Sequence, residues 1–412
     1  MRSLRLKDSR VLLGSPHPGG KGRTFMLSNR WLILAVLFFA RFTMAFQFQS
    51  IGALSPLIID TYSADFSDIG LLVGLYLAPG VVIAIPGSAI AVRFGDKRVV
   101  ALGMLMMLAG GGLTTLVTDW NVLVGSRLLA GAGGVILNVV MTKMLVDWFA
   151  GKEISTAMAI FINSWPVGIA AALLTLPLIA ASGDLTLAWW AVTAVILAGL
   201  VLLLLFYRSP MGATTAPSLR IAQLPVYALV LASTIWALYN AALAMVFSFG
   251  PALLKDQGWT LAAAGSVISA FMVVFSIAVP LGGILADKTG RANAIITVSL
   301  AAFAVLMPLV PVLPPFAVAV VFLIVGGLFA LAAGPIMTLP SSILPPASRT
   351  FGMGVFFSIY YVVMMVAPRV AGELADWTGN AGIALITGAG MAAFCILVLF
   401  LFAKARRKLA PA

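Results

Sequence analysis

The sequence has very few of the side chains on which enzymes and metal sites usually depend. Its 412 residues include one histidine, His17, and one cysteine, Cys395. A histidine-based catalytic triad, a Cys/His zinc site and an intramolecular disulfide are therefore excluded. The chain also lacks a Gly-rich phosphate loop followed by Lys and Ser or Thr, which excludes an ATP-driven pump unless a partner chain supplies the ATPase. We predict a protein that is not an enzyme and that needs no cofactor and no metal ion.

Charge is also scarce. Only 9% of the residues are charged, against about 25% in a soluble domain, while 62% are hydrophobic and the mean hydropathy is +1.11. Apolar stretches of about 20 residues, long enough to cross a bilayer, recur along the whole chain with short joints between them. We therefore predict an all-α integral membrane protein with twelve transmembrane helices and no soluble domain.

The few basic residues are unevenly placed along the predicted loops. If the N-terminus is cytoplasmic, every Lys and Arg except Arg41, Arg127, Lys255 and Arg369 falls in the cytoplasmic segments. The positive-inside rule then predicts cytoplasmic termini for a multi-pass protein of the cell (inner) membrane. In a soluble protein the net charge of +12 would suggest nucleic acid. Here we interpret it as a topology signal and as contacts with the anionic headgroups of the lipid bilayer, and predict no nucleic-acid partner.

Residues 66–98 and 259–291 are two copies of one pattern, in which a polar lead-in precedes an apolar span and a short basic turn. Gly70, Gly87 and Gly95 match Gly265, Gly282 and Gly290 at a constant offset of 195 residues. Such a repeat predicts two similar halves that move against each other, as in secondary transporters. The predicted parts are a disordered cytoplasmic leader at 1–29, six-helix bundles at 30–207 and 225–403, a cytoplasmic central loop at 208–224, and a basic cytoplasmic tail at 404–412.

The second copy of this pattern contains the segment GGILADKTGR, Gly282–Arg291, which resembles the loop signature of the major facilitator superfamily. Asp287 stands at its acidic position, Gly290 at the turn and Arg291 at the basic position, whereas Val92 replaces the acid in the first copy. The likeness extends from about residue 30 to the end of the chain, and in general character the chain resembles the cyanate and nitroimidazole permease branch. The resemblance implies the superfamily's fold of two pseudo-symmetric six-helix bundles.

Six residues are predicted to take part in gating. Asp287 is expected to face the start of the fifth helix near Ser155 and Thr156, where unpaired N–H groups and the helix dipole favour an anion. A solvated loop carboxylate is the alternative. Arg369 and Glu373 are four residues apart and can pair on one helix face, either as structure or as an outer gate. Arg127 has a gating or a structural role. The full set is Arg127, Asp287, Gly290, Arg291, Arg369 and Glu373.

Polar residues deep in the apolar spans are the candidates for substrate binding, because they are costly in lipid. Arg41 lies about 15 Å into the first span, near the midplane, and no Asp or Glu lies at a comparable depth. An unpaired guanidinium there is a receptor for a carboxylate or another small anion, held in a bidentate fork. The alternative is an Arg satisfied by backbone carbonyls or water. The other candidates are Gln47, Asn138, Asn163, Trp165, Trp236, Tyr239 and Asn240.

Three functions stay open at this point. We favour a monomeric porter that moves a small solute, an organic or inorganic anion, by alternating access between the two bundles. The second hypothesis is a proton-coupled exporter of hydrophobic drugs or metabolites, and the third is a transport-inactive receptor or scaffold. Because the interior offers so few carboxylates, the sequence leaves open whether a proton accompanies the substrate.

Overall fold

A computed structural model of the chain describes residues 29–83, 94–116, 119–149, 153–182, 184–209, 224–345 and 349–409. The predicted disordered leader, most of the central loop, Gly87 and Val92 lie outside these ranges. The described residues form an all-helical protein in which twelve helices are long and apolar enough to cross a membrane. The predicted fold class and the number of spans are thereby confirmed.

The first six helices are α1 Arg30–Tyr62, α2 Phe66–Leu77, α3 Asp96–Leu116, α4 Trp120–Phe149, α5 Ile154–Ser182 and α6 Leu185–Phe206. The second six are α7 Val226–Asp256, α8 Leu261–Thr289, α9 Ala292–Leu306, α10 Pro315–Ala330, α11 Arg349–Thr378 and α12 Gly382–Leu409. Shorter helical pieces extend three of these spans, Gly80–Ile83 after α2, Met307–Val312 after α9, and Ala333–Thr338 with Pro340–Ser342 after α10. Because α12 runs to Leu409, the basic residues of the predicted tail continue this helix.

The two halves repeat the same packing. In the first half α1 packs on α5 and α6, and α2 packs on α4; in the second half α7 packs on α11 and α12, and α8 packs on α10. The repeat extends to single contacts. A Cβ added to Gly131 would overlap the carbonyl of Tyr76, and one added to Gly326 would meet the carbonyl of Phe271. Gly326 lies 195 residues after Gly131, and Phe271 lies 195 residues after Tyr76. The pattern seen in the sequence therefore reflects duplicated helix packing.

Glycine is required at the turn that ends the duplicated segment. Gly290 follows α8 in a left-handed conformation with φ 66°, and its N–H donates to the carbonyl of Ala286 at 2.9 Å. Gly95, at the equivalent position of the first half, has φ 86°. A residue with a side chain adopts this region only at a cost. Gly290 is therefore the turn residue that the loop pattern predicts, while its role in gating stays a prediction.

Prolines lie inside α1 and α7 without ending these helices. Pro56 and Pro251 each remove one backbone donor, which frees the carbonyl four residues earlier. Ser55 Oγ donates to the freed carbonyl of Gly52 at 3.0 Å, and Gln49 Nε2 donates to that of Phe247 at 2.6 Å. The helices continue because side chains replace the missing bonds. The bond from Gln49 also joins the two halves.

The halves meet through α1 with α7, α2 with α11, and α5 with α8. We call the end of the bundle opposite to the start of α1 the far end. There α2 and α11 approach so closely that a Cβ on Gly70 would overlap the carbonyl of Pro368. At the repeat-related contact of α5 with α8, a Cβ on Gly265 would overlap the carbonyl of Leu173. The far end is therefore sealed by two symmetric backbone approaches.

Polar bonds reinforce this seal. The carboxylate of Asp376 on α11 accepts from the backbone N–H groups of Phe66 and Ser67, at 2.7 and 2.8 Å, at the start of α2. A carboxylate at a helix N-terminus is stabilised by the unpaired N–H groups and by the dipole. Lys255 also pairs with Asp60 at 3.0 Å, and these two residues occupy equivalent positions of the two halves. The described hydrogen bonds between the halves lie from mid-span to the far end.

Candidate functional site

A cavity of about 470 Å³ lies between the two halves, which is within the usual range for small-molecule sites. It extends from mid-span toward the end of the bundle where α1 begins, away from the sealed far end. Every predicted substrate residue except Gln47 lines it. These residues are Arg41, Asn138, Asn163, Trp165, Trp236, Tyr239 and Asn240. The fold thus brings them together from α1, α4, α5 and α7, and their role in binding stays a prediction.

Arg41 is held against the first-half wall of this cavity by neutral acceptors. Its Nε donates to Asn138 Oδ1 at 2.8 Å, and its Nη1 donates to the carbonyls of Ile162 and Phe161 at 2.8 and 3.2 Å. The guanidinium also lies over the rings of Phe161 and Trp165, with Cζ 5.0 and 5.9 Å from their centroids. Both are within the range of cation–π attraction.

The sequence explains why α5 offers an acceptor to Arg41. Pro166 has no N–H, so the carbonyl of Ile162, four residues earlier, lacks its helical donor. Arg41 Nη1 takes that place. The alternative in which carbonyls satisfy the guanidinium is therefore partly realised, and Arg41 also has a structural role, because it supplies the donor that Pro166 removes from the continuous helix α5.

The charge of Arg41 nevertheless stays uncompensated, since all of these partners are neutral. Among the described residues that line the cavity, Arg41 is the only charged one. Its Nη2 has no hydrogen-bond partner within the described part of the chain. A bidentate fork is not free, however, because Nε and Nη1 are both engaged. An incoming anion meets one open edge, and two-point binding requires it to displace Asn138 Oδ1 from Nε.

Gln47 does not line the cavity, so the fold does not bring it together with Arg41, and its role in binding stays a prediction. Six residues further along α1, at 100° per residue, its side chain is turned about 240° from that of Arg41. Gln47 is buried within the first half, where its Nε2 donates to the carbonyl of Met107 at 2.9 Å. Its Oε1 accepts from the hydroxyl of Tyr76 at 3.3 Å.

Arg127 is buried in the first half and does not line the cavity. Its Nη1 and Nη2 donate to the carbonyls of Gln47 and Phe48 at 2.9 and 3.0 Å, and its Nε donates to that of Leu72 at 3.2 Å. Its Cζ also lies 4.5 Å from the ring centroid of Tyr76. These contacts tie α4 to α1 and α2 inside one half. The geometry favours the structural alternative over gating.

Replacing Arg127 by Met should lower stability without changing the cavity. The variant loses three charge-assisted hydrogen bonds, each of which contributes at most about 3 kcal/mol. Because the three carbonyls keep their helical donors, we expect the free energy of unfolding to fall by only about 2 kcal/mol. Thermal unfolding in detergent would measure it, with Trp190→Leu on the exposed face of α6 as a control. Normal stability combined with lost transport would contradict this structural role and favour a gate.

The second-half wall of the cavity is aromatic, more so than the sequence indicated. The rings of Trp236 and Tyr239 stack with centroids 5.9 Å apart, and Trp236 lies 6.4 Å from Tyr360. Tyr360 and its neighbour Tyr361 were missed, although the run FFSIYY in the eleventh span could have indicated them. The second-half rings that line the cavity are Trp236, Tyr239, Phe275, Phe357, Tyr360 and Tyr361.

The predicted gating residues are spread over both ends of the bundle. Arg369 pairs with Glu373 at 3.0 Å, as its spacing predicts, and across the halves with Asp68 at 3.2 Å. Both contacts lie at the far end. Asp376, which caps α2 there, was not among the predicted gating residues, because its partners are backbone groups that no sequence pattern marks.

At the opposite end Asp287 and Arg291 are exposed at the turn after α8. Asp287 forms no ion pair with another residue that the structure describes. The side chains of Ser155 and Thr156, its expected neighbours, lie outside the described part of the chain. The latch therefore stays a prediction.

Three solved structures with a similar architecture are transporters by their descriptions. A bacterial homologue of the human lysosomal transporter Spinster, inward-facing and occupied, aligns with a TM-score of 0.73 at 16% identity, over 96% of this chain and 100% of that one. The nucleoside transporter NupG aligns with a TM-score of 0.72 at 15% identity, over 92% of this chain and 100% of that one. A POT family transporter in complex with a peptide aligns with a TM-score of 0.73 at 14% identity, over 92% of this chain and 96% of that one. At such identities the likeness establishes the fold.

The family assignment comes from the sequence itself. No curated protein matches the chain. The model of the Major Facilitator Superfamily, however, matches residues 37–368 and, in a second alignment, residues 228–412. The first alignment alone covers most of the chain, including the cavity-lining segments of both halves. The protein is thus a member of the Major Facilitator Superfamily, and its fold and family are those of a secondary transporter.

Proposed function

We propose that the protein moves a small anion across the membrane by alternating access, with Arg41 as the anion receptor. The observation that carries this proposal is the charge of the cavity. Arg41 is braced there by neutral groups, with one edge of its guanidinium free, and none of the described lining residues is acidic. Within a protein, where the effective dielectric constant is lower than that of bulk water, such a charge attracts an anion more strongly than it would in solution.

The proposed working state is inward-facing. The seal at the far end and the cavity on the other side of mid-span support a state open on one side only. The positive-inside pattern supports a cytoplasmic location for that side and for both termini. A location in the inner membrane and a monomeric state belong to the same proposal. A rocking motion of the halves would then break the far-end bonds and close the opposite end. The gating roles of Asp287, Arg369 and Glu373 belong to this proposal.

A proton-coupled exporter of hydrophobic compounds is the second candidate, and the aromatic second-half wall favours it. Proton coupling of that kind usually needs a titratable group that changes its exposure, and no described residue lining the cavity is a carboxylate or histidine. We therefore place it second. Membership of the cyanate and nitroimidazole permease branch remains a proposal based on general resemblance.

A thermal-shift screen of the purified protein in detergent tests this function. Small carboxylates and inorganic anions should raise the unfolding midpoint of the wild type and leave that of Arg41→Gln unchanged. Apolar cations should not stabilise either protein. Stabilisation by apolar cations alone would contradict the anion proposal and support the exporter, whereas binding without any flux into proteoliposomes would support a receptor.

A further inference from the structure

The two walls of the cavity differ in chemistry. The first-half wall carries the charge of Arg41, the amides of Asn138 and Asn163 and one ring, Trp165, whereas the second-half wall carries six aromatic rings and one amide, Asn240. Arg41 and Trp236 occupy equivalent positions on α1 and α7, at the offset of 195 residues. The repeat thus places a cation and a ring at matching levels on opposite sides of the cavity.

The cavity can neutralise only one negative charge. Beyond Arg41, no described lining residue is basic. A second carboxylate on a ligand would find no second cationic partner among the described lining residues, and burying a charge without a counter-charge is unfavourable. Dicarboxylates and multiply charged phosphates are therefore poor matches for this site.

The rings offer a stacking surface to the remainder of a ligand. Trp236, Tyr239 and Tyr360 form a continuous group, with interplanar angles of 22° between the first two and 39° between Trp236 and Tyr360. Aromatic pairs in such offset or tilted arrangements gain more than their buried area alone provides. A flat, unsaturated ligand body exploits this surface better than a saturated one of equal size.

We propose that the substrate is a small aromatic monocarboxylate, with its carboxylate at Arg41 and its ring against Trp236 and Tyr360. This inference rests on the proposed anion transport and specifies its substrate class. A ligand bound in this way touches both halves at once, so its binding favours their approach around it. The same ligand is then recognised by the cavity and draws the two halves together.

Binding to the purified full-length protein, measured by calorimetry, tests this assignment with benzoate as the reference ligand. Acetate supplies the charge without a ring, cyclohexanecarboxylate a saturated ring, phthalate a second charge, and benzamide a ring without charge. Benzoate should bind about 10-fold to 100-fold more tightly than acetate, from burial of the ring. Benzoate should also bind about threefold to tenfold more tightly than cyclohexanecarboxylate, because its ring stacks on the aromatic wall. Phthalate and benzamide should bind weakly.

Trp236→Leu should weaken benzoate binding by about 10-fold and leave acetate binding unchanged. Trp190→Leu is the matched control, because Trp190 is 49% exposed on α6 and lies outside the cavity. Tyr360→Leu tests the same wall independently if Trp236→Leu does not fold. Equal affinities for benzoate and cyclohexanecarboxylate, or tight binding of phthalate, would overturn the aromatic monocarboxylate and leave the anion site in place. Unchanged benzoate and acetate binding in Arg41→Gln would overturn the proposed function itself.

Discussion

Arg41→Gln should abolish anion flux into proteoliposomes while the protein still inserts and purifies as the wild type does. The substitution removes the only charge among the described residues that line the cavity. Losing one partner of a desolvated charge pair costs about 2–5 kcal/mol, which corresponds to about 30-fold to about 5,000-fold weaker binding. Initial uptake rates, measured over a range of anion concentrations, would show the loss.

Two further variants make this result interpretable. Arg30→Gln is the matched control, because Arg30 pairs with the exposed Glu153 outside the cavity, where an ion pair contributes less than about 1 kcal/mol. Arg41→Lys retains the charge but not the planar fork that reaches Asn138 and Ile162 together, so we expect an intermediate loss of about 10-fold. Wild-type flux in a folded Arg41→Gln protein would contradict the anion site and favour the exporter of hydrophobic compounds.

The fold could be predicted from the sequence because its determinants are local or periodic. Apolar length specifies the twelve spans, and the offset of 195 residues specifies the duplicated packing. The structure repeats that offset in contacts that no pattern describes, such as Gly131 with Tyr76 and Gly326 with Phe271. Small residues at helix crossings are visible in the sequence, whereas their partners are backbone carbonyls. Hence the glycines could be predicted, and the helices that they contact could not.

The site was predictable in composition but not in detail. Depth in the membrane singles out Arg41, Asn138 and Asn163, since polar groups there must face the interior. Depth alone does not give the helix face, which is why Gln47 was grouped with them. Nor does it give the proline effect, in which Pro166 frees the carbonyl that engages Arg41. That contact depends on two helices meeting at one level, a tertiary property.

The two halves share one fold but differ in the residues at equivalent positions, and these differences give the two halves different proposed roles. At equivalent positions the first half has Arg41 and the second has Trp236, and a substrate that needs both must lie between them. At the far end the matched residues are complementary, since Asp60 of one half pairs with Lys255 of the other. The duplication therefore supplies the contacts that seal the protein, and under the proposed function the divergence within it supplies recognition.

Gly70→Ala combined with Gly265→Ala should open the far end and suppress transport. Each added Cβ would overlap a backbone carbonyl of the other half, that of Pro368 or that of Leu173, and a backbone group cannot move aside without shifting its helix. Overpacking of this kind costs about 1–3 kcal/mol per site. The ratio of far-end-closed to far-end-open protein should then fall by about 5-fold to about 150-fold for each substitution.

Distances between spin labels across the far end would measure this shift, using Asn121→Cys at the start of α4 and Trp377→Cys near the end of α11. Both positions are exposed, and the native Cys395 is buried and can remain. Gly112→Ala and Gly125→Ala are matched controls, because a Cβ at either helical position meets nothing within 4 Å. They should leave both the distances and the flux unchanged. A distance distribution in the Gly70/Gly265 variant identical to that of the wild type would contradict the far-end seal, because the close approach would then not limit the closed state. A longer distance between the labels together with retained benzoate binding would instead show that closure of the far end and binding of the ligand depend on different residues. That result is expected if Arg41 binds the substrate and the two glycines determine whether the far end can close.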